Sequence, residues 1–78
     1  MRTEKYERDD ACYGLVSSRC RKGAYVLLDN GEMAFCYEAG NLFPGTKIIC
    51  SVKRSASESQ NGRCLVKMDS VCDLYDVA

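Results

Sequence analysis

The side chains best suited to nucleophilic, redox or metal chemistry are Cys12, Cys20, Cys36, Cys50, Cys64 and Cys72. Their spacing serves none of these roles well. Structural zinc is usually held by closely spaced ligand pairs, and the chain has no Cys-x-x-Cys and no histidine; no metal site is expected. A nucleophilic cysteine needs a neighbouring base or cation to hold its thiolate, and no base partner stands out. The carboxylates show no spacing that suggests a catalytic pair, and no Gly-rich phosphate loop is present. The expectation is a protein without catalytic residues or cofactors, not an enzyme. An even number of cysteines in a short chain also permits a disulfide framework, but that needs an oxidising compartment. The opening "MRTEKYERDD" has no apolar h-region, and no apolar run nears the ~20 residues of a membrane helix. A cytoplasmic location with no membrane partner is therefore expected, with the cysteines reduced and serving as small buried hydrophobes.

What remains is aromatic and basic chemistry. In "KGAYVLLDNGEMAFCYE", residues 22–38, apolar side chains fall on both faces of a candidate hairpin, and two tyrosines and a phenylalanine are among them. Alternation gives Ala24, Val26 and Leu28 to the core, and Tyr25 and Leu27 to the other face. The formal net charge of zero hides an uneven distribution. Residues 11–68 carry eight basic side chains (Arg19, Arg21, Lys22, Lys47, Lys53, Arg54, Arg63, Lys67) against four acidic ones, while residues 69–78 carry only Asp69, Asp73 and Asp76. A mildly basic body with an acidic tail can meet a phosphate backbone, although a solvated surface has the same composition.

The elements that must position these residues are short strands. With 78 residues the chain is long enough for one small domain with a thin core. Strands are expected over 11–20, with Gly14 marking a bend or bulge, and over 24–29, 32–38, 46–54 and 63–71. Turns punctuate them at 21–23 and at Asn30-Gly31, the strongest hairpin signal in the chain. Loops fall at 39–45 and 55–62, and Leu42 and Phe43 are expected to plug one end of the core. Residues 3–11 could add one or two helical turns. Val16, Val26, Ile48, Val52 and Val66 should be core residues. A hairpin of the last two strands centred near Ser57 would set Cys50 directly opposite Cys64. Five short strands with polar turns predict a small all-β, five-stranded antiparallel barrel, of the OB-fold or SH3-like kind.

The order of landmarks narrows this choice. Gly14-Leu15-Val16 precedes Gly23-Ala24-Tyr25-Val26; the Asn30-Gly31 turn and an apolar strand over 34–37 follow. Pro44-Gly45 then leads into alternating Ile48, Cys50 and Val52, and Gly62-Arg63-Cys64-Leu65-Val66-Lys67-Met68 closes the series. Over residues 11–70 the series resembles the S1 RNA-binding domain family, a five-stranded OB-fold. It departs from that family at Lys22, where an aromatic is usual, at Tyr37 and Ala39, which take the places of a histidine and a serine, and in a shorter loop between the third and fourth strands. The implied organisation is an N-terminal extension (1–10), an S1-like OB domain (11–71) and an acidic C-terminal tail (72–78).

The resemblance implies that Tyr25 and Tyr37 lie on the outer concave surface of strands two and three, where OB-folds bind single strands. An aromatic face stacks on a base of any sequence, and nearby cations hold the phosphates. Arg19, Arg21 and Lys22 before strand two, and Arg63 and Lys67 on strand five, would be those cations. Phe35, with Met33, reads either as packing or as part of the platform. The implied function is a single-domain binder of single-stranded nucleic acid, RNA before DNA. The alternative is a protein-interaction module on an OB or SH3-like barrel, whose aromatic face receives a protein partner.

Overall fold

The computed structural model describes residues 5–72; the acidic tail beyond Cys72 and residues 1–4 lie outside the described residues. Five strands form: β1 (Ala11–Arg19), β2 (Ala24–Leu28), β3 (Met33–Cys36), β4 (Lys47–Arg54) and β5 (Cys64–Cys72). A 3-10 turn, Tyr37–Ala39, follows β3 directly. The strands close into a barrel in the order β1-β2-β3-β5-β4, with β4 paired back to β1. This is an all-β, OB-like barrel. It is not wholly antiparallel, because β3 and β5 run parallel. The reason is arithmetic: strand direction cannot alternate all the way round a closed ring of five, so one seam must be parallel. Here the segment 37–46 carries the chain from β3 across to β4, and β5 returns into the gap between β4 and β3.

The core follows from alternation within each strand. Val16, Val26, Ile48, Val52 and Val66 are all no more than 2% exposed, as expected. Cys12, Cys36, Cys50 and Cys64 join them, with Ala24, Leu28, Ala34 and Ala39. The six cysteines are all free thiols. Gly14 faces inward, where a Cβ would lie 2.3 Å from Val26 Cγ1. The β-bulge of β1 falls after it, between Val16 and Ser18. The Asn30-Gly31 hairpin closes with Gly31 left-handed at φ 97°. The Leu28 N–H donates to the Glu32 carbonyl and the Gly31 N–H to the Leu28 carbonyl, so the connection is a three-residue G1-type turn.

Four local expectations need correction. Tyr37 leaves strand geometry and opens the 3-10 turn, because the chain must bend there to cross to β4. Phe43 is 73% exposed and plugs nothing; Leu42 alone packs against the core. Residues 5–10 form a turn and an extended segment instead of a helix, and the Asp9 N–H and Asp10 carbonyl bond to Val52. Finally, Cys50 pairs with Met68, four positions beyond Cys64 along β5. The loop between β4 and β5 folds on itself, with the Glu58 and Ser59 N–H groups donating to the Ser55 carbonyl and that of Gly62 to Ser59. It therefore does not behave as a symmetric hairpin about Ser57. Both thiols still face the core, at 0% and 1% exposure.

Gly23 holds β2 against the chain leaving β3. A Cβ there would lie 2.5 Å from the Cys36 carbonyl oxygen and 2.8 Å from Tyr37 Cα, both of them backbone atoms that cannot swing away. Gly23→Ala is therefore expected to cost about 1–3 kcal/mol, the usual range for overpacking. In a domain this small each kcal/mol lowers the melting temperature by about 4–8 °C. A thermal melt checks this, and an unchanged midpoint would contradict the close approach.

Candidate nucleic-acid interface

One row of outward-facing residues crosses four adjacent strands: Tyr25 on β2, Phe35 on β3, Leu65 on β5 and Arg54 on β4. Tyr25 and Phe35 pack edge to face with centroids 5.2 Å apart and planes at 75°. Phe35 repeats the arrangement with Tyr37, at 5.1 Å and 80°. The three rings thus form one continuous edge-to-face series, a preferred arrangement for quadrupolar rings. The most open of them is Tyr37, 55% exposed, because it stands on the 3-10 turn above the sheet.

Cations surround the rings. The Arg63 guanidinium lies 5.0 Å from the Tyr25 centroid, within cation–π range. Arg63 is aimed by its own loop: its N–H donates to Asn61 Oδ1 at 3.0 Å, and the Ser59 hydroxyl donates to the same oxygen. The loop is closed at its start by the Ser55 N–H on Glu58 Oε1, and Arg8 pairs with the other Glu58 oxygen at 2.8 Å. Both contacts hold the Glu58 carboxyl below the usual carboxylate range, the Arg8 hydrogen bond first. The rings, Lys22, Arg54 and Arg63 line a shallow depression of about 300 Å³. Among the described residues no carboxylate lines it. Cys64 also lines it, and burial above all pushes its thiol up to about 11.

The sequence-derived set divides on this geometry. Tyr25, Tyr37, Lys22 and Arg63 come together, while Arg19, Arg21 and Lys67 do not line the depression. Arg19 is the last residue of β1, and its guanidinium sits 5.3 Å from the Phe43 ring. The bulge after Val16 shifts the alternation of β1 by one residue, and Arg19 leaves the face that Tyr25 shares with Ser18. Lys67 points outward from β5 opposite Ser51, and Arg21 is exposed in the turn before β2.

Arg54 is the residue that sequence reasoning missed. Strict alternation with Ile48, Cys50 and Val52 would send it inward. A bulge between Val52 and Arg54 turns it out, opposite Leu65.

A second, larger depression of about 610 Å³ lies on β1, β2 and β4, lined by Tyr13, Leu15, Leu27, Asp29 and Lys47. Tyr13, Leu15 and Leu27 are each more than two-fifths exposed. Lys47, the one cation among the described residues that line it, already stands 4.9 Å over the Tyr13 ring, and Asp29 opposes a phosphate. Size notwithstanding, it is the poorer seat for a polyanion. The alternation of Tyr13 and Leu15 against Cys12, Gly14 and Val16 was the signal that could have shown this face.

Among the described residues no group of three or more metal-ligating side chains comes together, and no helix is long and apolar enough to cross a membrane. Comparison with protein-family models, with curated proteins and with solved structures finds no match to this chain.

Proposed function

We propose that this protein is a binding module for single-stranded nucleic acid, RNA in the first place, with no catalytic step and no cofactor. The observation that carries the reading is the combination, in one depression of an OB-like barrel, of three aromatic rings and three cations, with no carboxylate among the described residues that line it. Bases stack on exposed aromatic faces whatever their identity. Tyr37 offers the freest ring, and Phe35 braces both tyrosines from between. Arg63 covers one face of Tyr25, so an incoming base either displaces it toward a phosphate or is capped by it. Lys22 and Arg54 flank the rings and meet the backbone. The preference for RNA rests on the resemblance to S1 domains over residues 11–70, and a cytoplasmic location accords with it.

Salt tests the reading. Three phosphate contacts on a single strand give a slope of log K against log salt of roughly −2, at about −0.7 per contact. Fluorescence anisotropy with a short labelled single-stranded RNA, repeated from low to high salt, measures it. Arg54→Ala and Arg63→Ala should each make that slope shallower, whereas Arg19→Ala should leave it unchanged.

The second reading, a protein-interaction module, is favoured by one observation, the exposed apolar face of Tyr13, Leu15 and Leu27. An apolar contact there would be nearly indifferent to salt, and absence of RNA binding at millimolar concentration would leave this reading in place of the first.

A further inference from the structure

Of the six cysteines, only two face each other across a strand ladder. Cys12 on β1 lies directly opposite Cys50 on β4. Cys36 faces Ala24 and Val66, Cys64 faces Ala34, and Cys72 faces Lys47; Cys20 lies outside the strands. Directly opposed residues in an antiparallel pair have Cα atoms about 4.5 or 5.5 Å apart. Both spacings fall inside the roughly 4.4–6.8 Å span of relaxed disulfides. The side chains already point at each other, with the two Sγ atoms 3.5 Å apart in the core. Bonding would need a change of side-chain torsion and a small approach of the two strands, since opposed Cβ atoms stand about 4.5–5.5 Å apart and a relaxed disulfide wants about 3.5–4.5 Å.

We propose that Cys12 and Cys50 form an oxidative modification site, a dithiol that a small peroxide converts to a cross-strand disulfide joining β1 to β4. Cys12 is the entry point, because it is 6% exposed and Cys50 is fully buried. The Cys50 thiol hydrogen-bonds to Cys12, which draws the Cys12 thiol below its ordinary value and pushes Cys50 up. The greater exposure of Cys12 makes it the nucleophile and leaves Cys50 as the resolving thiol. The Cys12 thiolate attacks one oxygen of hydrogen peroxide, forming an S–O bond, breaking the O–O bond and releasing hydroxide. The Cys50 sulfur then attacks the Cys12 sulfur of that sulfenic acid, and the hydroxide expelled takes up the Cys50 proton as water. In sum, two thiols lose two electrons and two protons, and one peroxide becomes two waters. Intracellular disulfides of this transient kind are usually catalytic or redox-sensing. The bond would close a loop between residues 38 apart in sequence, which restricts the unfolded chain and stabilises the barrel.

The test uses the full chain, folded, treated with hydrogen peroxide, alkylated with iodoacetamide and cleaved by trypsin. Mass spectrometry should find the peptide 9–19 joined to the peptide 48–53 with the loss of two hydrogens, and dithiothreitol should separate them. The oxidised protein should melt at a higher temperature than the reduced one. In Cys50→Val, dimedone should trap a sulfenic acid on Cys12. The proposal is overturned if Cys12 and Cys50 are both recovered alkylated while Cys20 or Cys72 is oxidised, or if Cys12 is found linked to any other cysteine. It is equally overturned if Cys12 passes to the sulfinic acid in the parent protein without linkage. The parent-protein measurement decides the matter even where the variant fails to fold.

Discussion

Val26→Asp should abolish the fold. Val26 is 0% exposed and lies between Val16 and Ala34 in adjacent strands. An aspartate there would remain protonated, since an ionised carboxylate cannot be held in such a site. Even protonated it lacks hydrogen-bond partners, which costs about 2–7 kcal/mol. The lost burial of valine adds about 1.5–3 kcal/mol. A single core in a domain of this size rarely supplies more than about 3–5 kcal/mol of net stability. The expected result is a far-UV spectrum without the strand signature and no cooperative melt. A cooperative transition within a few degrees of the parent would contradict the placement of Val26 and the barrel built around it.

Loss of the exposed rings should remove binding and leave the barrel intact. Tyr25→Ala and Tyr37→Ala should each weaken single-strand affinity by about 1–3 kcal/mol, roughly 5- to 150-fold in Kd. Tyr37→Phe keeps the ring and should bind almost as the parent does, which separates stacking from hydrogen bonding by the hydroxyl. Phe35→Ala removes the ring that braces both tyrosines; it should weaken binding at least as much, with some loss of stability because Phe35 is half-buried. Tyr13→Ala, in the apolar depression, is the control and should leave affinity unchanged. Equal losses from Tyr13→Ala and Tyr37→Ala would contradict the assignment of the face.

What the sequence could and could not disclose follows from the range of each signal. Side-chain alternation is local, so the inward set of Cys12, Gly14 and Val16, or of Ile48, Cys50 and Val52, can be read without knowing any partner strand. Register is not local. It depends on how many residues a loop consumes, and the turns within 55–63 move Cys50 from Cys64 to Met68. Bulges break the local signal itself. One takes Arg19 away from Tyr25, and the other brings Arg54 out beside Leu65. Arg54 was missed because alternation carried across the extra residue sends it inward, whereas Arg19 was placed only by its nearness to strand two, which gives no direction. Phe43 shows a different limit: in a loop there is no alternation to say which way an aromatic points, and this one turns outward under Arg19. The Cys12–Cys50 pairing was illegible for the same reason as the register, since nothing local links residues 38 apart.

The central claim is that one face of the barrel, and not another, receives a single strand. The most direct measurement is a titration of isotope-labelled protein with short single-stranded RNA, followed residue by residue through its amide signals. The account predicts saturable shifts centred on Lys22, Tyr25, Phe35, Tyr37, Arg54 and Arg63, with little change at Tyr13, Leu15 and Lys47. Shifts centred on Tyr13, Leu15 and Leu27, or no shift at millimolar RNA, would contradict it.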